Sequence, residues 1–200
     1  MSLEAISLKP KTGEPPTRLL VVLHGWGANA QDLAALASYF EPDNYQMIFP
    51  NAPFPHYQAP EGRAWYALEE QGYPGLSEGR QILSEWLLSL EGVTNIPLSR
   101  TVLAGFSQGG AMTLDVGLQL PFAKLCSMSG YLHYSPQHSE NPPPVLLIHG
   151  RQDAVVPLSL AQQAKEQLES VGVSVDYREF EMGHEISLEA LEVFQGFLQD

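Results

Sequence analysis

Gly105-Phe106-Ser107-Gln108-Gly109-Gly110 follows a short apolar run, Thr101-Val102-Leu103-Ala104, and leads into a segment with helical character from Ala111 to Leu120. A serine with glycine two residues away on either side, set between a strand and a helix, has the surroundings of a nucleophile. The turn must be sharp enough to lift the hydroxyl clear of the backbone, and the flanking positions come too close together for side chains. The pentapeptide is short, and its weight comes from that placement. A serine hydroxyl is too weakly acidic to attack an acyl group unaided, so the chain must also supply a base and a group to orient it.

Ligands of an open parallel sheet gather at the carboxyl ends of its strands. The apolar run Val145–His149 is followed by Gly150-Arg151-Gln152-Asp153, and the run Ser174–Phe180 by Glu181-Met182-Gly183-His184. His184 at that edge would take the Ser107 proton, and Asp153 would accept the other ring N–H, fix the tautomer and stabilise the imidazolium. The order Ser, Asp, His is that of an α/β-hydrolase. Two backbone N–H groups would stabilise a developing oxyanion, that of Gln108 and that of Trp26 in the loop opening His24-Gly25-Trp26. Alone, Asp153 reads as a turn residue and His184 as the polar end of a turn. It is their joint placement after the right strands that points to chemistry. Of the other histidines, His24 and His149 end strands and read as structural, while His56, His133 and His138 lie in loops and read as solvated. No His-Glu-x-x-His or other paired-ligand spacing occurs, so no metal is expected.

The elements that must hold these residues alternate. Leu19–His24, Tyr45–Phe49, Thr101–Ala104, Lys124–Met128, Val145–His149 and Ser174–Phe180 read as strands. Segments 31–40, 76–90, 111–120, 159–170 and 188–198 carry apolar residues at helical spacing. The strand runs are almost purely apolar, as expected of a mostly parallel sheet with helices on both faces. Neither a repeat nor a linker interrupts them, so residues 1–200 are expected to form a single domain. Pro142-Pro143-Pro144 reads as a stiff loop entering a strand. The loop from Phe54 to Tyr66 follows a strand end, where Phe54, Tyr57, Trp65 and Tyr66, with Trp26, could wall a substrate pocket or in part close the core.

The 200 residues carry 10 basic and 23 acidic side chains, a formal charge of −13. Such a surface repels phosphate backbones and anionic lipids, which argues against nucleic acid as a partner. Cys126 is the single cysteine, which excludes an intrachain disulfide framework and reads as buried packing. The N-terminus shows no leader pattern, and no run approaches the roughly 20 apolar residues of a bilayer span, so a cytoplasmic protein without stable membrane insertion is expected.

The blocks Leu23-His24-Gly25-Trp26-Gly27, Pro50-Asn51-Ala52-Pro53, Gly105–Gly110, His149-Gly150-x-x-Asp153-x-x-Val156-Pro157 and Met182-Gly183-His184 together resemble the small phospholipase/carboxylesterase family that includes the acyl-protein thioesterases. They run over nearly the whole chain in family order. The resemblance implies a minimal, lidless α/β-hydrolase that cleaves carboxylic esters or thioesters without a cofactor, and the same roles for Ser107, Asp153, His184, Trp26 and Gln108. The substrate would be a small-molecule acyl ester or thioester, and the protein a monomer or homodimer. Where Trp26 stands the family often has leucine, so the indole is expected to reshape the acyl pocket. Asp115 interrupts the apolar face of the helix after the elbow and is expected to point to solvent, because a buried Asp without a partner costs several kcal/mol. The rival readings are a peptidase-like hydrolase on the same scaffold, which would need more chain to grip a peptide, and a noncatalytic binding protein keeping the fold, which would show a broken triad.

Overall fold

The computed structural model describes residues 3–40, 42–68 and 72–199. Met1, Ser2 and Asp200, the outermost residues of the expected domain, lie outside them. The apolar runs become β2 (Arg18–Leu23), β3 (Tyr45–Pro50), β6 (Thr101–Phe106), β7 (Lys124–Met128), β8 (Val145–Gly150) and β9 (Val175–Phe180). They pair in parallel, in the order β3-β2-β6-β7-β8-β9. One further strand, β1 (Ala5–Leu8), lies antiparallel on the outer edge of β3. Its exposed, alternating residues carried too weak an apolar pattern to be read from sequence. A two-residue hairpin of β4 (Phe54–Pro55) and β5 (Arg63–Ala64) stands apart from the sheet.

Alternation along the strands sends side chains to two separate cores. Leu19, Val21 and Leu23 of β2 face α2 (Leu76–Thr94), α3 (Gln108–Gly117) and α4 (Leu158–Ser170), where Leu83, Leu87, Met112 and Leu168 are wholly buried. Leu20 and Val22 face the other way, toward α1 (Ala30–Ala34) and α5 (Leu188–Gln199), and pack with Leu33, Leu191 and Phe194. Each fully buried aliphatic or aromatic side chain contributes roughly 1.5–3 kcal/mol relative to exposure. The helix expected over 31–40 is shorter than its apolar spacing suggests. α1 ends at Ala34, and a 3-10 turn (Ala37–Tyr39) follows. α2 runs four residues past its expected end and stops where Asn95 takes a left-handed conformation, φ 58°, a common way to end a helix. α5 is pinned to the sheet at its last turn, where Leu198 O accepts from the Tyr45 hydroxyl at 3.0 Å and Phe197 O from Lys124 Nζ at 2.7 Å.

The loop leaving β2 is held by buried polar groups. His24 is wholly buried. Its Nδ1–H donates to Gly25 O at 2.7 Å, and its Nε2 accepts from Ala52 N–H at 3.0 Å. Trp65 Nε1–H donates to His24 O at 2.9 Å. The neighbouring Asn51 accepts from Ala30 N–H through its side chain, at 2.8 Å, and so secures the start of α1. Asn29 and Asp32 add a reciprocal capping box at the same end. The block 50–53 therefore ties the end of β3 to the loop after β2.

Two predictions follow from these contacts. A Cβ added at Gly109 would run into the carbonyl oxygens of Leu23 and His24, whereas one added at the exposed Gly92 of α2 meets nothing within 4 Å. Gly109→Ala should cost several kcal/mol or prevent folding, while Gly92→Ala should raise Tm by about 2–4 °C through helix propensity; thermal unfolding compares them. Burial lowers the His24 pKa from its ordinary value of 6.5, so the folded state refuses a proton that the unfolded chain accepts. Stability is then complete above that value and falls as pH drops below it. Melts between pH 8 and 5 should show a steeper acid-side loss of Tm in the wild type than in His24→Asn.

Candidate active site

β6 runs straight into α3 through Ser107, whose φ of 54° and ψ of −117° no ordinary strand or helix uses. Backbone of this kind costs on the order of 1–3 kcal/mol and persists only when its surroundings fix it. Here Ser107 N–H donates to Met128 O at 2.8 Å, and its carbonyl accepts from Ala111 N–H at 3.0 Å. A Cβ at Gly105 would collide with Gly109 O, and one at Gly109 with the carbonyls of Leu23 and His24, so both flanking positions are glycine. The helix opens at Gln108, three residues earlier than the apolar spacing suggests, so the turn consists of little more than the serine itself.

The loops after β8 and β9 bring the other two groups to the same edge. His184 Nε2 lies 2.9 Å from Ser107 Oγ, and its Nδ1 lies 2.8 Å from Asp153 Oδ2. Asp153 Oδ1 accepts from the N–H groups of Val155 and Val156 at 2.9 and 2.8 Å. Burial pushes the Asp153 carboxyl up, but the bonds from His184 and from these two amides outweigh it and hold the group below the usual carboxylate range. His149, read as structural, is buried and donates from Nε2 to Val156 O at 2.8 Å, closing the Asp153 loop from behind. Gly150 lets the two loops meet, since a Cβ there would strike the carbonyls of Met182 and Gly183. Phe106 packs against the His184 ring, centroids 4.9 Å apart. Such a chain of hydrogen bonds can move a proton off an alcohol and hold the resulting imidazolium.

Gly25 brings the loop after β2 to Ser107, its Cβ position being 3.3 Å from Ser107 Cβ. Neither the Trp26 nor the Gln108 backbone N–H has a backbone acceptor among the described residues. The Gln108 side chain, wholly buried, has a task that sequence did not reveal. Its Oε1 accepts from Trp65 N–H at 2.9 Å, and its Nε2 donates to Tyr66 O at 2.8 Å. These bonds fix the segment that walls the neighbouring cavity, about 570 Å³ in volume and lined largely by apolar groups. Ser107, Asp153 and His184 do not line it. Trp26, beside Gly25, and Tyr66, bonded to Gln108, connect the two.

Of the residues expected to wall a pocket, Trp26, Phe54, Tyr57 and Tyr66 line this cavity. Trp65 does not: it is wholly buried in the core, with its indole N–H committed to His24. His56, expected in solvent, instead lines the cavity between Trp26 and Tyr57, with centroids 4.3 and 5.2 Å away. Its Nδ1 accepts from the N–H groups of Gln58 and Ala59. Two expectations fail together at Asp115 and His133. Asp115 is 9% exposed rather than pointing to solvent, and the His133 side chain is fully buried with its Nδ1 2.8 Å from Asp115 Oδ2. Each is the partner that sequence could not supply for the other; Arg80 adds a cation 3.9 Å from the carboxylate. His138 is exposed, as expected. Cys126 is wholly buried, and burial pushes its thiol up, away from the reactive thiolate. Among the described residues, no group of three or more His, Cys, Asp or Glu side chains is placed to hold a metal ion, and no helix is long and apolar enough to cross a membrane.

Known proteins share this architecture. An acyl-protein thioesterase 1 of Neurospora crassa is 27% identical over 92% of this chain and 86% of its own length. Esterase YpfH of Escherichia coli is 27% identical over 90% of this chain and 81% of its own length. The crystal structure of esterase PE8 superposes with a TM-score of 0.89 at 28% identity, covering 100% of this chain and 99% of that one. The phospholipase/carboxylesterase family matches residues 9–200. With its mostly parallel sheet, and helices on both faces, the chain belongs to the phospholipase/carboxylesterase family of α/β-hydrolases.

Proposed function

We propose that the protein hydrolyses carboxylic esters or thioesters of short to medium acyl chains through a covalent acyl-enzyme on Ser107. The observation that carries this reading is the unbroken hydrogen-bonded chain from Ser107 Oγ through His184 to Asp153, at 2.9 and 2.8 Å. His184 Nε2 takes the hydroxyl proton as Oγ bonds to the substrate carbonyl carbon. Asp153, ionised throughout, steadies the imidazolium. The backbone N–H groups of Trp26 and Gln108 stabilise the oxyanion. Collapse breaks the bond to the leaving oxygen or sulfur, which takes the proton from His184. Water then repeats the sequence on the acyl-enzyme and releases the acid.

The acyl chain lies in the cavity walled by Trp26, Phe54, Tyr57 and Tyr66, with His56 between Trp26 and Tyr57. Its volume of about 570 Å³ falls within the usual range of small-molecule sites. The formal charge of −13 disfavours polyanionic partners such as nucleic acid. We read residues 1–200 as one domain acting in the cytoplasm, as a monomer or homodimer and without a cofactor.

A fluorophosphonate probe should label Ser107, and the label should vanish in Ser107→Ala and His184→Ala; folded wild-type protein that takes no label would defeat the proposal. Asp153→Asn should leave the fold intact and lower kcat by roughly 10³–10⁴-fold, because the amide favours the wrong imidazole tautomer. Trp26→Leu should change the preferred acyl length more than the rate on the best substrate, read from a panel of nitrophenyl esters of graded length.

A further inference from the structure

The cavity runs from an exposed mouth at Tyr57, 64% accessible, to a closed end where Tyr66 is wholly buried. Tyr66 is held from several sides. Its carbonyl accepts from Gln108, its hydroxyl lies 2.6 Å from that of Tyr131, and its ring meets that of His133 nearly edge-on, centroids 4.9 Å apart at 78°. Behind it the His133 side chain is fully buried, and the residue borders a second, separate pocket of about 180 Å³ with Leu160 and Gln163 of α4. Two touching rings thus form the partition at that end of the cavity.

We propose that His133 sets the depth of the acyl pocket, a specificity-determining residue acting through Tyr66; this rests on the assignment of the larger cavity to the acyl chain. Tyr66 alone cannot close that end, since a ring with nothing behind it has room to tilt away from a longer chain. His133 supplies the backing and is itself immobilised. Asp115 Oδ2 lies 2.8 Å from its Nδ1, and the rings of Tyr73 and Tyr131 flank it at 5.0 and 5.2 Å. Asp115 stands seven residues after Gln108, two turns along the same face of α3. One helix face therefore fixes both rings of the partition, Tyr66 through Gln108 and His133 through Asp115. The polar pair is a positioning device with no part in the proton transfers at Ser107.

Removing the imidazole should leave room behind Tyr66 for its ring to tilt back, so that acyl chains too long for the wild type are accepted. The test compares wild type and His133→Ala on nitrophenyl esters from acetyl to palmitoyl, with kcat and KM determined separately. In the variant, KM for esters beyond the wild-type limit should fall by about tenfold or more, the scale expected when one or two methylenes gain a pocket. The acetyl ester, which does not reach the partition, should keep both constants within about twofold, since the variant touches no group that meets it. His133→Gln, which keeps a donor for Asp115 and most of the bulk, should restore the wild-type profile. If His133→Ala does not fold, Asp115→Asn/His133→Ala leaves no stranded carboxylate and should show the same lengthening. A folded variant with an unchanged acyl profile overturns the proposal, as does an equal loss of kcat on every ester. Wild-type protein inactive on all esters would instead overturn the functional reading beneath it.

Discussion

The contact between Ser107 Oγ and His184 Nε2 joins residues 77 positions apart, and its continuation to Asp153 spans another 31. No local propensity can set such distances. They are set by the order of the parallel strands, because β6, β8 and β9 all end at one edge and each delivers one side chain there. Shifting any of these strands by a single residue would turn its side chains to the opposite face. The two apolar cores that hold the register are therefore as necessary to the proposed chemistry as the three polar groups themselves.

A second set of contacts converts approximate placement into hydrogen-bonding geometry. Asp153 is anchored by two backbone amides as well as by His184, and His149 holds the carbonyl of Val156 from below. On the opposite side, His24 links Gly25, Ala52 and Trp65 into one buried unit. Most of these bonds are buried, where an unmade partner costs more than a made bond contributes. The loops at this edge thus have few alternative arrangements of comparable energy.

Much of this was legible in the residues. The six parallel strands announced themselves as apolar runs, and the elbow, Asp153 and His184 stood directly after three of them. What escaped was the part of the structure that depends on side chains meeting across the fold. Ala5–Leu8 is a strand because β3 offers it an open edge, not because of its own pattern. Trp65 looked like any other aromatic of its loop until the carbonyl of His24 was found beside its indole N–H. Asp115 interrupts an apolar helix face and His133 lies in a loop, and single-residue reasoning sent both to the surface. The solution, a buried pair, needs α3 and the loop after β7 to be neighbours, and nothing local states that. Gln108 shows the same limit: the backbone role proposed for it follows from the elbow, whereas its side-chain bonds to Trp65 and Tyr66 require knowing which loop lies opposite.

Gln108 also limits how such a protein can change over time. Because its amide grips the backbone of residues 65 and 66 while its own N–H adjoins the nucleophile, any drift in that stretch of wall is felt at the elbow. Phe54 and Tyr57, which line the same cavity, lie outside that stretch. In the proposed esterase, a change of side chain at either position would alter the cavity without passing through Gln108, while residues 65 and 66 stay tied to the elbow. One wall of the cavity is thus coupled to the turn at Ser107 through a single amide side chain.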